Sequence, residues 1–190
     1  MQKLMVTLKS TVLTALAFAV VALSVARPAC AGSLELIPSV GMSKGTDTNA
    51  AKAEFYGSVA LRAAVLPMLK IEGGIAYRTE SLSAADNITL RVWPVTVSAW
   101  LTPIPMVYFG GGLGWYRETI DYAAALQFPD VTTDRFGEHI GAGIVIPITP
   151  KLGLDFNGRY VFMQPDNNLR LLTKFNPDFW SLSAGLAIGF

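Results

Sequence analysis

Residues 179–190 read FWSLSAGLAIGF and alternate between two kinds of side chain without a break. The even positions from Trp180 to Phe190 are mostly large and apolar, whereas the odd positions from Ser181 to Gly189 are all serine, glycine or alanine. A repeat of two residues is typical of a β-strand whose two faces meet different surroundings. Because the pattern continues to the last residue, we predict that Phe190 belongs to the final strand and not to a frayed tail.

The same repeat of two residues runs through the rest of the chain and predicts eight strands, each long enough to cross a bilayer when tilted. The candidate strands are 33–43, 53–65, 69–80, 88–101, 106–117, 135–147, 151–163 and 179–190.

The connections between these strands alternate in length. Three are short and contain proline, namely those around Pro67, at 102–105 and at 147–150. The four between them are longer and polar, and they include a segment near 118–134 and the loop at 164–178. Short turns on one side and long loops on the other are typical of transmembrane β-barrels.

The sizes of the side chains on the two faces indicate which face would contact lipid. In the strand at 151–163 one face carries leucine, phenylalanine and tyrosine, and the other carries glycine, Asp155, Asn157 and Arg159. A soluble β-sandwich or lipocalin-like barrel would have to expose a charged face that is narrow and rich in glycine. A closed membrane barrel places lipid outside and a polar lumen inside, and closure leaves no sheet edge unpaired in hydrocarbon. We therefore predict an all-β fold, a closed eight-stranded antiparallel up-and-down transmembrane β-barrel over residues 32–190.

Residues 1–31 have the pattern of a cleaved secretory signal peptide. Lys3 and Lys9 precede an apolar stretch, and Ala29 and Ala31 fit a cleavage site before residue 32. The alternative is a retained membrane-anchor helix. If the leader is removed, the single cysteine is lost with it, and acidic residues slightly outnumber basic ones in the mature chain. That balance gives no reason to expect nucleic acid as a partner.

The uncharged stretch at 92–116 is apolar enough to suggest a transmembrane helix. Pro94, Pro103 and Pro105 would break such a helix, and four glycines between 110 and 114 would weaken it further. Two tilted strands joined at 102–105 explain the stretch better.

Several of these segments resemble the small outer-membrane β-barrel superfamily, which includes the opacity-type, OmpX-like, OmpW-like and OmpA transmembrane-domain proteins. The resemblance rests on the secretion signal, the Pro-Val-Thr-Val strand at 94–97, the run from Pro105 to Gly112, and FGEHIGAGI at 136–144. The final strand ending at Phe190 is similar to the signal that the outer-membrane insertion machinery reads. The resemblance implies a bacterial outer-membrane location and contact with outer-membrane lipids and lipopolysaccharide. It also implies that Leu186, Ile188 and Phe190 form the insertion signal.

The face opposite the large apolar residues predicts a polar lumen. An eight-stranded barrel is about wide enough to be filled by its own side chains, and buried charges must then be paired. The predicted lumen network consists of Glu35, Arg62, Glu72, Arg78, His139, Asp155, Asn157 and Arg159. Two interpretations stay open, a structural plug of paired charges and a narrow path for small or hydrophobic solutes, as in OmpW-like proteins. Tyr56, Tyr108 and Tyr116 are expected to point inward and to narrow any path.

Aromatic residues on the outward face are expected at the two membrane interfaces. Those predicted near the loop side are Phe55, Tyr77, Trp115, Tyr160 and Trp180, and those near the turn side are Phe109 and Phe190. Arg91 and Trp93 fall on the same face as Val95 and Val97, which is unfavourable for an arginine in lipid. We therefore predict a bulge or register shift near Pro94, which cannot donate to the ladder.

Catalysis is not predicted, although some barrels of this size modify lipid A. A nucleophile needs an activating base and a group that orients the base, and the chain has one histidine, His139, with no nearby serine motif. The sequence predicts no cofactor and no metal site. We expect a structural or surface-interaction protein whose loops make the contacts. The loop at 164–178, which mixes leucines with Arg170 and Lys174, could bind a partner or lipid A headgroups, or could simply pack over the barrel mouth.

Overall fold

The structure is a computed structural model that describes residues 34–46, 52–81, 88–122, 131–164 and 177–190, with only the backbone described at 88, 120–122 and 131. The predicted signal peptide and most of the loop at 164–178 lie outside the described residues. None of the described residues form a helix long and apolar enough to cross a membrane.

Within the described residues eight antiparallel strands form one closed barrel in chain order. The strands are β1 (Leu34–Gly45), β2 (Glu54–Leu66), β3 (Leu69–Ser81), β4 (Ile88–Ile104), β5 (Val107–Tyr122), β6 (Val131–Thr149), β7 (Leu152–Met163) and β8 (Phe179–Gly189). The barrel closes where β8 pairs with β1, and Phe190 donates its N–H to the carbonyl oxygen of Leu34 at 3.0 Å. The predicted fold class is confirmed.

The strand register sets the tilt of the barrel. From Glu35, a row of directly paired residues crosses all eight strands in order and returns to β1 at Gly45, ten residues further along. This stagger means that the strands are strongly inclined to the barrel axis, as in other closed barrels. One row therefore rises from the turn side to the loop side and brings together residues far apart in the sequence. The row consists of Glu35, Arg62, Glu72, Ser98, Gly112, His139, Val161, Phe179 and Gly45.

The predicted bulge near Pro94 is wrong. Between β4 and β5 the pairing passes through Pro94 without a shift, and between β3 and β4 the register is the same on either side of it. Arg91 and Trp93 therefore keep their outward positions, and the Trp93 ring lies 4.7 Å from the ring of Tyr77. Irregularities occur instead at the turn-side ends of the β2–β3, β4–β5 and β6–β7 pairs, where the prolines lie.

The connection predicted near 118–134 begins and ends as strand. β5 continues to Tyr122 and β6 begins at Val131, and the two remain paired as far as Ile120 and Val131. The side chains in this segment include several β-branched residues, among them the paired Thr119 and Thr132, which favour extended backbone.

The two faces of the wall differ as predicted. Large apolar residues on the outward face are exposed, for example Val40 at 62%, Leu61 at 51% and Ile140 at 58%. Inward positions carry the buried polar and aromatic residues, including Arg62, Glu72 and Tyr108, which are 1–2% exposed. The membrane-type arrangement, with the apolar face outside, explains both sets.

Candidate functional site in the barrel lumen

Six inward side chains form a closed ring of hydrogen bonds across the lumen, which we call the central ring. Arg62 donates from Nε to Glu72 at 2.8 Å and from Nη1 to Asp155 at 2.7 Å. Arg159 donates to the other oxygen of Glu72 at 2.6 Å and to Asn157 Oδ1 at 2.7 Å. Asn157 then donates to Tyr108 Oη at 2.9 Å.

The ring is completed where Tyr108 donates its hydroxyl to Asp155 Oδ1 at 2.8 Å. The two arginines balance the two carboxylates, so the ring carries no net charge. No buried polar side-chain atom of the ring lacks a hydrogen-bond partner, which is the condition for burying charge without a large desolvation cost.

The ring joins four strands that are distant in the sequence. Arg62 lies on β2, Glu72 on β3, Tyr108 on β5, and the remaining three members on β7. Arg62 and Glu72 are direct cross-strand partners, whereas the bonds from Arg62 to Asp155 and from Arg159 to Glu72 cross the lumen. The ring is therefore a tie between opposite walls of the barrel.

Aromatic rings support both arginines of the central ring. The Arg62 guanidinium lies 4.3 Å from the centre of the Tyr108 ring, and that of Arg159 lies 5.1 Å from the Trp100 ring. Cation–π contacts of this kind gain strength when the cation is removed from water. Trp100 and Tyr108 are in turn packed edge to face at 5.3 Å.

The central ring requires glycine in the wall beneath it. Tyr108, Gly143 and Asn157 are paired in one row across β5, β6 and β7. A Cβ at Gly143 would overlap the end of the Tyr108 ring and the carbonyl oxygen of Phe156. The missing side chain at Gly143 lets the Tyr108 hydroxyl pass over β6 and reach Asn157 and Asp155.

The remaining charged residues of the predicted network lie outside the central ring. Glu35 is near the turn side and accepts from Lys70 at 2.9 Å. Arg78 lies toward the loop side, where it pairs with Glu80, donates to Ser43 Oγ at 3.2 Å and covers the Phe179 ring at 4.0 Å.

The predicted network left out further inward charged residues, among them Lys70, Glu80, Glu118 and Arg135. Arg135 and Glu118 form a buried ion pair at 2.7 Å near the loop side. Each of these four residues lies at an inward-facing position of its strand, as the predicted residues do. Glu80, for example, is two residues from Arg78 and points to the same side. The alternation could therefore have found them, had it been followed to the strand ends.

His139 is buried and does not join the central ring. Its Nε2 forms a 2.8 Å hydrogen bond with Ser98 Oγ. The two residues sit on β6 and β4, and they meet because Gly112 on β5 lies between them in the same row. Nδ1 of His139 has no hydrogen-bond partner in the described part of the chain, so no third group orients the ring there.

Among the described residues no group of three or more histidines, cysteines or acids could hold a metal ion.

Beside these ion pairs, the loop-side half of the lumen contains a group of packed, mainly apolar residues, which we call the loop-side cluster. Its members are Leu90, Val92, Tyr116, Val161, Met163 and Phe179. Tyr116 and Phe179 pack edge to face at 6.1 Å. A cavity of only about 10 Å³ separates this cluster from Arg159 and His139, and a pocket of about 150 Å³ opens near Glu35 and Lys151 at the turn side.

On the outward face, the predicted loop-side aromatics lie toward the loop ends of their strands, together with three that were missed, Trp93, Phe136 and Phe162. The rings of Trp115 and Phe136 pack edge to face with their centres 5.5 Å apart. The ring centres of Tyr160 and Phe162 are 4.7 Å apart. Phe109 is the third residue of β5, and Phe190 follows β8 with 62% of its surface exposed. Leu186, Ile188 and Phe190 share the outward face at the turn end of β8.

No family model matches the chain, and no curated protein matches its sequence. The fold is similar to that of Neisserial surface protein A, with a TM-score of 0.65 and 19% identity over 84% of this chain and 99% of that one. It is also similar to Ail, the attachment invasion locus protein of Yersinia pestis, solved with the heparin analogue sucrose octasulfate. That match has a TM-score of 0.57 and 14% identity, and it covers 84% of this chain and 98% of that one.

A third similar structure is the outer membrane protein OprG from Pseudomonas aeruginosa, with a TM-score of 0.51 and 12% identity over 83% of this chain and 96% of that one. These likenesses show the fold, which is that of the small eight-stranded outer-membrane β-barrels.

Proposed function

We propose that this chain, whose fold is that of the small outer-membrane β-barrels, is an integral outer-membrane protein with a structural or surface-interaction role and a closed lumen. The observation that carries the proposal is the central ring. It crosses the lumen between opposite walls, its charges cancel, and Trp100 and Tyr108 pack against its two arginines. A hydrated ion that entered would have to break charge-assisted hydrogen bonds that are shielded from water.

The outer surface supports membrane contact as the main interaction. Arg91 and Arg117 are exposed on the outward face. Arg91 lies two residues from Trp93, and Arg117 two residues from Trp115, in each case on the loop side of the tryptophan. Arginines just beyond an aromatic girdle are placed for lipid phosphates. We propose outer-membrane lipids and lipopolysaccharide as partners, and Leu186, Ile188 and Phe190 as the segment that the insertion machinery reads after removal of the signal peptide.

Single-channel recording in planar lipid bilayers tests the closed lumen. The folded wild-type protein is expected to give no reproducible open steps. Arg62→Ala removes the residue that joins β2 to both carboxylates, so it is expected to produce openings. Arg91→Ala removes an arginine from the outward face and serves as the matched control, which should stay silent. Frequent, reproducible steps from the wild-type protein would overturn the proposal.

The second candidate is a narrow conduit for small or hydrophobic solutes. The observation that favours it is the pocket of about 150 Å³ at the turn side, which brings Glu35 and Lys151 to an opening below the central ring. A conduit predicts wild-type conductance that falls when the pocket is blocked, for instance by Gly153→Trp. Silence of the wild-type protein with openings in Arg62→Ala separates the two candidates.

A non-enzymatic role fits the geometry around the single histidine. His139 is 2% exposed and Ser98 is 2% exposed, so no lipid substrate reaches their hydrogen bond from the outer surface without passing through the wall. Lipid A extracted after expression of the wild type and of His139→Phe is expected to be identical. A His139-dependent change in lipid A would contradict this expectation.

A further inference from the structure

The outward wall of the barrel contains a groove of about 750 Å³ that extends from β5 across β6 and β7 to β8. Its floor is formed by two small residues, Ala142 and Gly158, which are direct cross-strand partners. Larger outward residues stand on both sides of this pair, Phe109 next to Ala142 and Leu182 next to Gly158. The groove is therefore a depression between large apolar side chains of the outward wall.

The loop-side end of the groove has a different chemistry from its floor. Tyr160 lies beside Ile140 and is paired with Trp180 on the next strand, and both aromatic residues line the groove. Each offers an apolar ring toward the depression and one polar hydrogen-bonding group. Tyrosine and tryptophan take this arrangement where hydrocarbon meets headgroups. The groove is thus amphipathic along its length, apolar at mid-wall and polar at one end.

We propose that this groove is a binding site for one acyl chain of a membrane lipid from the loop-side leaflet, with the polar end of the lipid at Tyr160 and Trp180. The inference rests on the membrane-embedded barrel of the proposed function. No hydrophobic effect drives groups together within hydrocarbon, so an acyl chain would be held by close packing. A depression floored by glycine and alanine gives a flexible chain contacts on three sides, whereas a flat stretch of wall gives it contacts on one.

A second copy of the barrel fits the groove less well than a lipid chain does. The wall of another barrel is convex, and it would touch the rims at Phe109 and Leu182 without reaching the floor. An acyl chain is narrow and can follow the depression from Tyr160 toward Phe109. The polar groups of Tyr160 and Trp180 also match an ester or headgroup, which the apolar outer wall of a second copy does not supply at that depth.

Photo-crosslinking in lipid vesicles tests the site. The wild-type protein is inserted into phosphatidylcholine vesicles that contain a small fraction of phosphatidylcholine with a diazirine at the middle of one chain. Adducts are then mapped by peptide mass spectrometry. Gly158→Leu fills the floor of the groove, because a Cβ there meets only the flexible end of Leu182 at 3.1 Å among side chains. Gly73→Leu is the matched control, since Gly73 is exposed on the opposite side of the barrel and a Cβ there meets nothing within 4 Å.

We expect wild-type adducts to concentrate on the peptides carrying Ala142 and Gly158. Gly158→Leu should lower them by about tenfold, equivalent to about 1.4 kcal/mol of lost packing, while Gly73→Leu should leave the pattern unchanged. Labelling spread evenly around the barrel, or unaffected by Gly158→Leu, would overturn the site while leaving membrane insertion intact. The absence of any labelling in all three proteins would instead contradict the membrane-embedded barrel. A dimer found by chemical crosslinking in wild type and lost in Gly158→Leu would assign the groove to a second copy and would also overturn the proposal.

Discussion

The two halves of the lumen are closed by different kinds of interaction. The central ring uses six polar side chains and six hydrogen-bonded links, and Arg62, Tyr108 and Asp155 lie within a few residues of the turn-side ends of their strands. The loop-side cluster uses six mainly apolar side chains packed against one another, with buried ion pairs at its margin. Both halves are buried, yet we expect them to respond differently to the loss of one member.

The difference lies in what a missing side chain leaves behind. In the central ring, each charged member neutralises a partner from another strand, so its removal leaves an unpaired charge away from water. In the loop-side cluster, removal of a side chain leaves a cavity whose cost depends on how far its neighbours can relax. The ring is therefore expected to control both stability and closure, and the cluster mainly stability.

Arg62→Ala should have the largest effect. It leaves Glu72 with only Arg159 and Asp155 with only the Tyr108 hydroxyl, so we expect a loss of about 4 kcal/mol in the free energy of unfolding. Urea unfolding of the protein in lipid vesicles, followed by tryptophan fluorescence, measures this loss. Arg117→Ala removes an exposed outward arginine and should change stability by less than about 1 kcal/mol. Equal losses in the two variants would show that the ring does not stabilise the barrel.

Leu90→Ala tests the other half of the comparison. Leu90 is 2% exposed within the loop-side cluster, and truncation of a buried leucine costs about 3 kcal/mol through lost contacts and a residual cavity. Because the central ring stays intact, the variant should remain silent in planar bilayers although it is less stable. Leu101→Ala, at an outward position with 46% exposure, is the control. Open channel steps in Leu90→Ala would mean that the cluster, and not the ring alone, closes the lumen.

The comparison also shows how much of the structure could be predicted from the sequence. Alternation of two residues predicted all eight strands and the inward direction of the ring members, because each strand separates lipid from lumen at every residue. It failed at Pro94, where an outward arginine suggested a bulge. Arg91 is exposed on the loop side of Trp93, and the pairing of β4 with β5 stays regular there.

The partners within the lumen could not be predicted from alternation alone. Arg62 and Asp155 are 93 residues apart, and they meet only because of the register and stagger of the closed barrel. The contact between Ser98 and His139 likewise depends on the small residue between them at Gly112. The alternation of residues gives the face of the sheet to which a side chain points. Its neighbours across the lumen depend on the register between successive strands.

Ser98→Ala should have the smallest effect, because the hydrogen bond between Ser98 and His139 lies at the boundary between the two halves and involves no formal ion pair. Its loss should cost about 1 kcal/mol, the usual net contribution of a single buried hydrogen bond. A double-mutant cycle with His139→Phe isolates the coupling, since the phenylalanine keeps the ring volume and removes both nitrogens. Urea unfolding in vesicles should give a coupling energy of similar size, and conductance should stay absent in all three variants. A coupling several times larger would join His139 to the central ring as a seventh member, and the lumen would then have one continuous polar network where the structure shows two distinct halves.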